Sequence, residues 1–557
     1  MTDIEIPLGK RTKKYRFYEM LPAILSYGAV ILLVVLSLID PLLAALYLVT
    51  VIITTLIKAI GIAVHTIRGR NRLESAQKVN WRARLDQLED PKAVVASATS
   101  LDKAVFGQEM HLANCARIVE SPEKYPAPSQ IYNVVIIAAY NESLEVLEPT
   151  LQSVAETTYD NSRLIVVLAY EERGGSAIES TAQLLQKKYK DTFHSFQIVC
   201  HPKDLAGEVV GKGGNITHAG RYIASWLKKQ HISYSDVIVT TLDSDNRPHR
   251  TYFDYVTYEY IVRTDRKKLS YQPISLFLNN IWDAPAPMRV VATGNSFWNI
   301  ISSMRPHTLR NFASHSQPMD ALVEMDFWST RTIVEDGHQY WRSYFHFDGD
   351  YSVTPIYVPI YQDAVLSDTY IRTLKAQFIQ LRRWAYGASD VPYVATRVFT
   401  KKRTVPFGSG VARFIRLLDG HVTLACVAIL VTIGGWVPLL INSQSAMSLP
   451  AHQLPEVISV IQRIAMIGLF ITIFLAFKML PPRPARYKKH RSVFMLLQWA
   501  LMPVTSIVYS ATSAYTAQTA LLLGKYFDKF DVTEKATAAS IERSKKAKAD
   551  PDDVLSK

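Results

Sequence analysis

Two apolar regions, one towards each end of the chain, constrain what it can fold into. The first covers residues 21–67 and the second residues 417–523, whereas the middle has the mixed composition of an ordinary globular domain. The uncharged run 21–38 is about long enough to cross the hydrocarbon core of a bilayer as a helix. A signal peptide fits poorly, because no small-residue cleavage site follows and a second apolar run does. The sequence therefore predicts a globular domain inserted between membrane helices.

The N-terminal apolar region is interrupted once, by Asp40-Pro41. Apolar residues resume at Leu42 and continue to Ile57, so we predict a tight helical hairpin with Asp40-Pro41 at its tip. Positive charge stays on the cytoplasmic side of a membrane, which places the middle of the chain in the cytoplasm. The basic residues that flank the open ends of the hairpin are Lys10, Arg11, Lys13, Lys14 and Arg16 before it, and Arg68, Arg70 and Arg72 after it.

The C-terminal apolar region predicts further crossings. Residues 422–441 and 457–477 each have the composition of a span, and the loop 442–456 has no Lys or Arg, which suits the outer face. Residues 493–523 contain Gln498, Pro503 and several small polar residues. They are too short for two comfortable crossings and long for one, and we interpret them as a broken hairpin. These expectations describe a multi-pass protein of the cell membrane.

The chain has a net charge of +13 and three cysteines, Cys115, Cys200 and Cys426. An odd, scattered set of cysteines gives no disulfide framework and no metal-ligand spacing, which indicates that most of the chain faces a reducing compartment. The basic residues lie mainly beside the apolar segments. This placement favours contact with lipid head groups over binding of nucleic acid.

The middle of the chain alternates short apolar runs with helical patterns over residues 131–245. Strands and helices that alternate at this spacing predict an α/β fold with parallel pairing. Ligands of such sheets bind beyond the carboxyl ends of the strands, so we expect a polar ligand of nucleotide size there. The predicted strands are 134–138, 164–168, 196–200 and 237–242, and the predicted helices begin near Leu144 and cover 176–188 and 216–229.

Asp243 and Asp245 flank Ser244 directly after the predicted strand 237–242. Two carboxylates at a strand end can hold Mg²⁺ or Mn²⁺, which prefer oxygen ligands and often bridge to phosphates. A solvated acidic turn that caps the next helix is the alternative explanation. The position after a buried strand favours the metal.

Lys212-Gly213-Gly214-Asn215 lies just before the predicted helix 216–229. Glycines allow a ligand to approach the backbone closely, and a lysine beside a helix N-terminus favours phosphate. We therefore predict that Lys212 lies near a phosphate group, although a plain flexible loop gives the same pattern.

Residues 373–386 have an amphipathic helical pattern rich in aromatic residues and cations, which suits the membrane–water interface. This helix contains Gln380-Leu381-Arg382-Arg383-Trp384. Arg383 can make paired hydrogen bonds to phosphate oxygens, and Trp384 offers a flat apolar face on which a sugar ring can stack. An interfacial helix with an ordinary Trp and Arg anchor is the alternative.

Three motifs occur in a fixed order between the apolar regions: Asp243-Ser244-Asp245, Glu335-Asp336 and Gln380 to Trp384. In this order, beside membrane helices, they resemble the membrane-integrated family 2 glycosyltransferases, the group that contains cellulose, chitin and hyaluronan synthases. The match to the family's Gln-x-x-Arg-Trp element is the most specific. The resemblance covers residues 130–400 and implies a GT-A type α/β domain that binds a nucleotide sugar.

The resemblance also implies roles for single residues. Asp336 would deprotonate the acceptor in an inverting transfer, and Glu335 would orient it or support the metal, although Val334 stands where the family has Thr. An acidic helix start is the alternative for this pair. Glu171 departs from the Asp pair usual at that position. The residues implied to contact the nucleotide sugar are Ala138, Tyr140, Glu142, Glu171, Lys212, Asp243, Gln380, Arg383 and Trp384, with Thr533 and Lys535 of a segment similar to the gating segment of cellulose synthases.

The expected organisation follows the apolar regions and the resemblance. Its parts are a tail and transmembrane hairpin (1–70), a cytoplasmic helical linker (71–129), the cytoplasmic GT-A domain (130–372), interfacial amphipathic helices (373–416), a C-terminal transmembrane bundle (417–524) and a cytoplasmic tail with the gating segment (525–557).

We expect an inverting, metal-dependent hexosyltransferase that moves a sugar from a nucleotide-diphosphate donor, UDP in preference to GDP, to a growing polysaccharide extruded across the membrane. Two helices before the domain and several after it favour this function over transfer of one sugar to a lipid carrier or glycolipid. A catalytically silent nucleotide-sugar sensor is a third hypothesis, which the intact Asp243, Asp245 and Asp336 disfavour. The expected partners are the donor, a glycan or lipid-linked acceptor, and membrane lipids.

Overall fold

The predicted N-terminal hairpin is confirmed in the computed structural model, which describes residues 4–7, 9–97, 104–442 and 449–527. Helix α1 (Lys13–Ile39) ends at Asp40, and α2 (Pro41–Gln77) follows at once. The Asp40 carboxylate accepts a hydrogen bond from the Leu42 N–H at 2.8 Å, which caps α2. Proline suits the first position of α2, because the N–H that it lacks has no helical partner there.

Three short helices connect the hairpin to the sheet: α3 (Trp81–Asp86), α4 (Pro91–Ala96) and α5 (Gln108–Glu120). They are attached to the globular domain by aromatic packing, because the Trp81 ring stacks on Tyr255 with 3.5 Å between ring centroids. The segment after the hairpin therefore contains three helices.

The globular domain is built on an eight-stranded mixed sheet with the strand order β3-β2-β1-β4-β7-β6-β8-β5. The first four strands pair in parallel, as predicted, whereas β7 runs antiparallel to both β4 and β6. The strands are β1 (Tyr132–Ala139), β2 (Leu164–Glu171), β3 (Ser195–His201), β4 (Val237–Asp243), β5 (Arg247–Pro248), β6 (Leu269–Leu276), β7 (Ser316–Pro318) and β8 (Ser352–Tyr361).

Helices cover both faces of the sheet, because successive side chains of a strand point to opposite faces. Val134 belongs to the buried cluster on the face covered by α8, and Val135 to the cluster on the opposite face. Helix α8 begins at Lys212, so the predicted start at residue 216 was wrong by one turn. The helices are α6 (Leu144–Ala155), α7 (Ser176–Tyr189), α8 (Lys212–Lys229), α9 (Tyr252–Ile261), α10 (Ala286–Ser303), α11 (Met319–Glu324) and α12 (Glu335–His346).

Helices α13 (Tyr370–Ala385) and α14 (Asp390–Val398) lead from the sheet to the C-terminal apolar helices α15 (Phe407–Ile433), α16 (Val437–Ile441) and α17 (Leu449–Met479). Helix α17 begins at Leu449, so the predicted loop 442–456 was too long. Residues 443–448 of that loop lie outside the described ranges. Among the described residues, the segments long and apolar enough to cross a membrane are 13–39, 41–77, 407–441 and 490–522.

The last apolar region is one irregular helix, so the predicted broken hairpin was wrong. Helices α18 (His490–Leu497), α19 (Met502–Thr505) and α20 (Thr512–Leu522) are joined by a 3₁₀ turn and a π-helical turn, and the backbone stays right-handed helical at each junction. The polar Gln498 suggested a break, but its side chain is buried and accepts a hydrogen bond from Arg289 at 2.5 Å. At the far end, Arg16 donates to the carbonyl of Leu521 at 2.9 Å.

Close packing of α2 on α10 fixes the hairpin to the globular domain, and it generates a first prediction. A methyl group added at Gly69 would lie 2.5 Å from the Ile300 Cγ2 atom and 3.2 Å from the Ile300 carbonyl oxygen. We expect Gly69→Ala to lower the free energy of unfolding by about 1–3 kcal/mol, because overpacking forces the two helices apart. The measurement is the thermal unfolding midpoint in detergent.

Gly61→Ala is the matched control, because Gly61 lies on the same helix and an added methyl would meet only the end of the Arg305 side chain, at 3.5 Å. This variant should be neutral or more stable by up to about 1 kcal/mol, since alanine favours a helix over glycine. Equal midpoints for the two variants would show that α2 does not depend on this contact.

Candidate active site

A cavity of about 580 Å³ lies beyond the carboxyl ends of β1, β2 and β4, between the sheet and helices α13 and α15. This is the place at which parallel α/β sheets bind their ligands. Thr533 and Lys535, which were predicted to contact the nucleotide sugar, lie outside the described residues. The predicted site residues that line the cavity are Ala138, Tyr140, Glu142, Glu171, Lys212, Asp243, Asp245, Glu335, Asp336, Gln380, Arg383 and Trp384.

The Lys212 ammonium group connects three carboxylates that come from different parts of the fold. Its Nζ atom lies 2.9 Å from Asp243 Oδ1, 3.0 Å from Asp336 Oδ2 and 3.8 Å from Glu335 Oε1. Because Nζ contacts both Asp243 and Asp336, those two carboxylate oxygens lie within about 6 Å of each other. The end of β4 and the start of α12 therefore share one site.

Two close contacts fix Lys212 in this position. A methyl group added at Gly213 would lie 2.4 Å from the Ser329 carbonyl oxygen, so only glycine lets the first turn of α8 approach that loop. The Asn215 side chain donates to the carbonyl of Ala169 at 2.9 Å, which fixes α8 to the end of β2. The glycines predicted to approach a ligand thus serve the packing of the helix itself.

Burial and charge act in opposite directions on this cluster. Burial alone would lower the pKa of Lys212, but Asp243, Asp336 and Glu335 outweigh it and raise the pKa of the ammonium group. Burial, together with the neighbouring charge of Asp336, raises the pKa of Glu335 well above its ordinary value of 4.5. Glu335 is only 3% exposed, so little water stabilises its charged form.

Asp336 lies in the first turn of α12 with its two oxygens in different surroundings. Oδ2 faces Lys212 at the cavity wall, whereas Oδ1 is buried 3.8 Å from the Nδ1 atom of His315. His315 donates from Nδ1 to the Phe312 carbonyl at 2.9 Å, and burial lowers the pKa of its ring. The neutral His315 ring therefore lies on the buried side of Asp336, away from the cavity. No sequence pattern pointed to His315.

The chain after β4 brings Asp243, Ser244 and Asp245 to the cavity, and the Ser244 hydroxyl donates to Glu142 at 3.1 Å. The Ser244 carbonyl accepts a hydrogen bond from Thr150 of α6 at 2.7 Å. Asp245 Oδ2 accepts one from the Asp363 N–H at 3.1 Å. Both Asp243 and Asp245 line the cavity.

The donor set at the end of β4 fits a hard divalent cation. Among the described residues, no group of three or more His, Cys, Asp or Glu side chains converges on one point. Mg²⁺ is often held by one or two carboxylates together with substrate phosphates and water. Asp243 and Asp245 therefore suffice as protein ligands for Mg²⁺ or Mn²⁺ when phosphate oxygens complete the shell.

The predicted nucleotide-contacting residues at the ends of β1 and β2 form one wall of the cavity. Glu142 accepts a hydrogen bond from the Tyr140 N–H at 2.7 Å. Arg173 pairs with Glu171, and its guanidinium carbon lies 4.6 Å from the centre of the Tyr140 ring. Arg173 therefore fixes both side chains, a contact that the sequence did not indicate.

Helix α13 supplies the opposite wall. Trp384 keeps 39% of its surface exposed and contacts Phe277, with ring centroids 6.1 Å apart. Arg383 is close enough to Glu335 to act on its charge. Gln380 accepts a hydrogen bond from Gln377 at 3.1 Å. The Trp and Arg of the motif thus face the same cavity as the acidic cluster.

The cavity continues past these residues towards the apolar helices. Several residues that line this end were not singled out from the sequence, because they are far apart in the chain and follow no motif. They are Trp298, Asn299, Arg310, Phe312, Asp390, Leu417, His421 and Leu424.

Comparison with known proteins finds only distant similarity. No family model matches the sequence, and no curated protein matches it. The similar solved structures include a mannosyltransferase of Pyrobaculum calidifontis, PcManGT, in complex with GDP-Man and Mn²⁺, at 16% identity and a TM-score of 0.38 over 70% of this chain and 97% of that chain. Another is residues 1–349 of S. aureus TarS in complex with UDP-GlcNAc, at 12% identity and a TM-score of 0.33 over 71% of this chain and 93% of that chain. No conclusion about activity follows from similarities this low.

The raised pKa of Glu335 generates a second prediction. A carboxyl group with a raised pKa holds its proton in the folded protein at a pH where the unfolded chain has lost it, so stability falls as pH rises from 4.5 through the folded-state pKa. One such proton contributes a slope of up to about 1.4 kcal/mol per pH unit. We expect Glu335→Gln to flatten this decline and to stabilise the protein at neutral pH.

The measurement is the unfolding free energy against pH in detergent. Glu123→Gln, which changes an exposed glutamate outside the cavity, is the matched control and should leave the slope unchanged. A wild-type slope in the Glu335→Gln variant would contradict the raised pKa.

Proposed function

We propose that the protein is an inverting family 2 glycosyltransferase of the cell membrane, with its α/β domain in the cytoplasm. It transfers a sugar from a UDP-sugar to a hydroxyl group of a growing polysaccharide, which is extruded across the membrane. The observation that carries this proposal is the junction of Asp243, Lys212 and Asp336 in one cavity, opposite Trp384. These groups combine cation binding, phosphate binding, a base and a surface for a sugar ring.

The donor binds with its nucleotide at the ends of β1 and β2 and its diphosphate beside Asp243. Lys212 and Arg383 contribute positive charge to the diphosphate from two sides. A divalent cation held by Asp243 and Asp245 would neutralise charge on the departing diphosphate, the largest electrostatic demand of the reaction. The sugar lies between the diphosphate and Asp336, with Trp384 against its ring.

In the transfer step, the acceptor hydroxyl oxygen attacks the anomeric carbon from the side opposite the diphosphate. The bond from that carbon to the diphosphate oxygen breaks with its electron pair, and the hydroxyl proton moves to Asp336 Oδ2. Oδ2 is the oxygen that contacts Lys212, so the lysine must move from it towards the diphosphate when the donor binds. Glu335 and His315 hold Asp336 in position.

The product is inferred from the direction in which the cavity extends. The cavity extends from the acidic cluster to α15, one of the helices apolar enough to cross a membrane. An acceptor that leaves the site in this direction would pass between membrane helices, which suits a polymer better than a single sugar on a lipid carrier. A catalytically silent sensor would not need a base in this cavity.

Asp336→Asn provides the third prediction. The amide cannot accept the acceptor proton, so we expect the rate of transfer to fall by about 10²–10⁴-fold while donor binding is retained. The measurement is nucleotide release by purified protein with a panel of UDP- and GDP-sugars, with Mg²⁺, with Mn²⁺ and with a chelator. Loss of release in the chelator would support the cation.

Asp326→Asn is the matched control, because Asp326 is exposed, pairs with Arg221 and lies outside the cavity. It should release nucleotide at the wild-type rate. Unchanged release by Asp336→Asn would exclude Asp336 as the base, and a cellular role that survives this variant would favour the sensor.

The length of the product provides the fourth prediction. Membranes supplied with radiolabelled donor should form a ladder or a high polymer on gel filtration, because repeated transfer keeps the growing chain in the cavity. An organic-extractable lipid that carries one sugar would instead identify a lipid carrier as the acceptor.

A further inference from the structure

Arg310 is a positively charged side chain at the membrane end of the cavity, away from the acidic cluster. It is half-buried and lines the cavity beside Phe312. Its guanidinium carbon lies 5.7 Å from the centre of the Trp341 ring. Trp341 is fully buried, so the ring supports Arg310 from the protein side.

The guanidinium group of Arg310 makes no hydrogen bond or ion pair with any residue in the described part of the chain. Burial lowers the pKa of Arg310, yet an arginine stays protonated in a protein. Its nitrogens are not among the atoms shielded from solvent, so they remain accessible from the cavity. An enclosed cation that makes no direct ion pair is costly, which indicates that a ligand supplies a paired negative charge.

The nearest carboxylate is already engaged elsewhere. Asp390 acts on Arg310 at a distance, but its Oδ1 atom accepts a hydrogen bond from His338 Nδ1 at 2.6 Å, and its side chain is 4% exposed. Arg416 of α15 adds a second positive charge that acts on Arg310. Two arginines and one carboxylate leave a net positive charge at this end of the cavity, which favours an anion.

The wall around Arg310 also indicates what the anion is attached to. Leu417 and Leu424 of α15 and the indole of Trp298 line the same end of the cavity. Leu424 is 41% and Trp298 is 50% exposed, so apolar surface is available next to the cation. A phosphate with an attached acyl or isoprenoid chain would contact both Arg310 and this apolar surface. A free anion would contact Arg310 alone.

We propose that Arg310 binds the phosphate of an anionic lipid whose head group carries the hydroxyl that is glycosylated. The placement of that hydroxyl rests on the proposed function, because it must reach Asp336 from the membrane end of the cavity. The lipid is then the primer on which the first sugar is placed. Phosphate recognition by Arg310 does not depend on the identity of the donor sugar.

The test uses full-length protein in nanodiscs of phosphatidylcholine. Dioctanoyl phosphatidylglycerol, which carries a phosphate and free hydroxyls, is titrated, and the bound lipid is counted by native mass spectrometry. Dioctanoyl phosphatidylcholine and inorganic phosphate are titrated in parallel. We expect the wild type to bind phosphatidylglycerol more tightly than either.

Arg310→Gln should weaken the binding of phosphatidylglycerol by about tenfold or more, since a charge-assisted hydrogen bond is lost. Arg310→Lys should bind with intermediate affinity, because it keeps the charge but not the paired geometry. Arg305→Gln is the matched control: Arg305 lies near Gly61 of α2 and outside the cavity, and its loss should have no effect.

Several results would overturn the proposal. Equal affinity of wild type and Arg310→Gln would exclude Arg310 as the phosphate ligand, as would an equal loss in Arg305→Gln. Binding of inorganic phosphate as tight as that of the lipid would exclude the lipid. UDP binding, measured on the same samples, separates this proposal from the proposed function: lipid binding without UDP binding would reject the donor site and leave Arg310 in place.

Discussion

The contact of one ammonium group with three carboxylates holds the centre of this protein together. Without Lys212, the negative charges of Asp243 and Asp336 would repel each other in a largely buried site, at a cost of several kcal/mol. The same contact joins the first turn of α8, the end of β4 and the start of α12. Glycine at position 213 is required for it, because a side chain there would separate α8 from the loop at Ser329.

The apolar helices are coupled to this centre through specific contacts. Gly69 brings α2 against α10, and Arg16 connects the base of α1 to the end of α20. Helix α13 then lies between the sheet and the apolar helices, with Ser513 of α20 donating to the Phe378 carbonyl at 3.3 Å. Movement of α20 would therefore be transmitted to the helix that carries Arg383 and Trp384.

Local sequence pattern predicted the parts of the fold that depend on neighbouring residues. Strands β1 to β4 follow from short apolar runs between helical patterns, and the Asp40-Pro41 turn follows from the break that it makes in an apolar run, so they were predictable. The antiparallel β7 is only three residues long and pairs through β4 and β6, which no local pattern records. The polar Gln498 suggested a break in a helix. Its buried hydrogen-bond partner, Arg289, is 209 residues away, so the sequence did not show that the side chain is satisfied inside the protein. His315 and Arg173 were missed for the same reason: their function in the site comes from tertiary contact alone.

The geometry also suggests an order of events in the proposed reaction. While Lys212 contacts Asp336 Oδ2, that oxygen is engaged by the ammonium group and is not available to an acceptor hydroxyl. A diphosphate carries more negative charge than a single carboxylate and would attract the ammonium group away from it. Asp336 Oδ2 would then become available to an acceptor hydroxyl only when a donor is present.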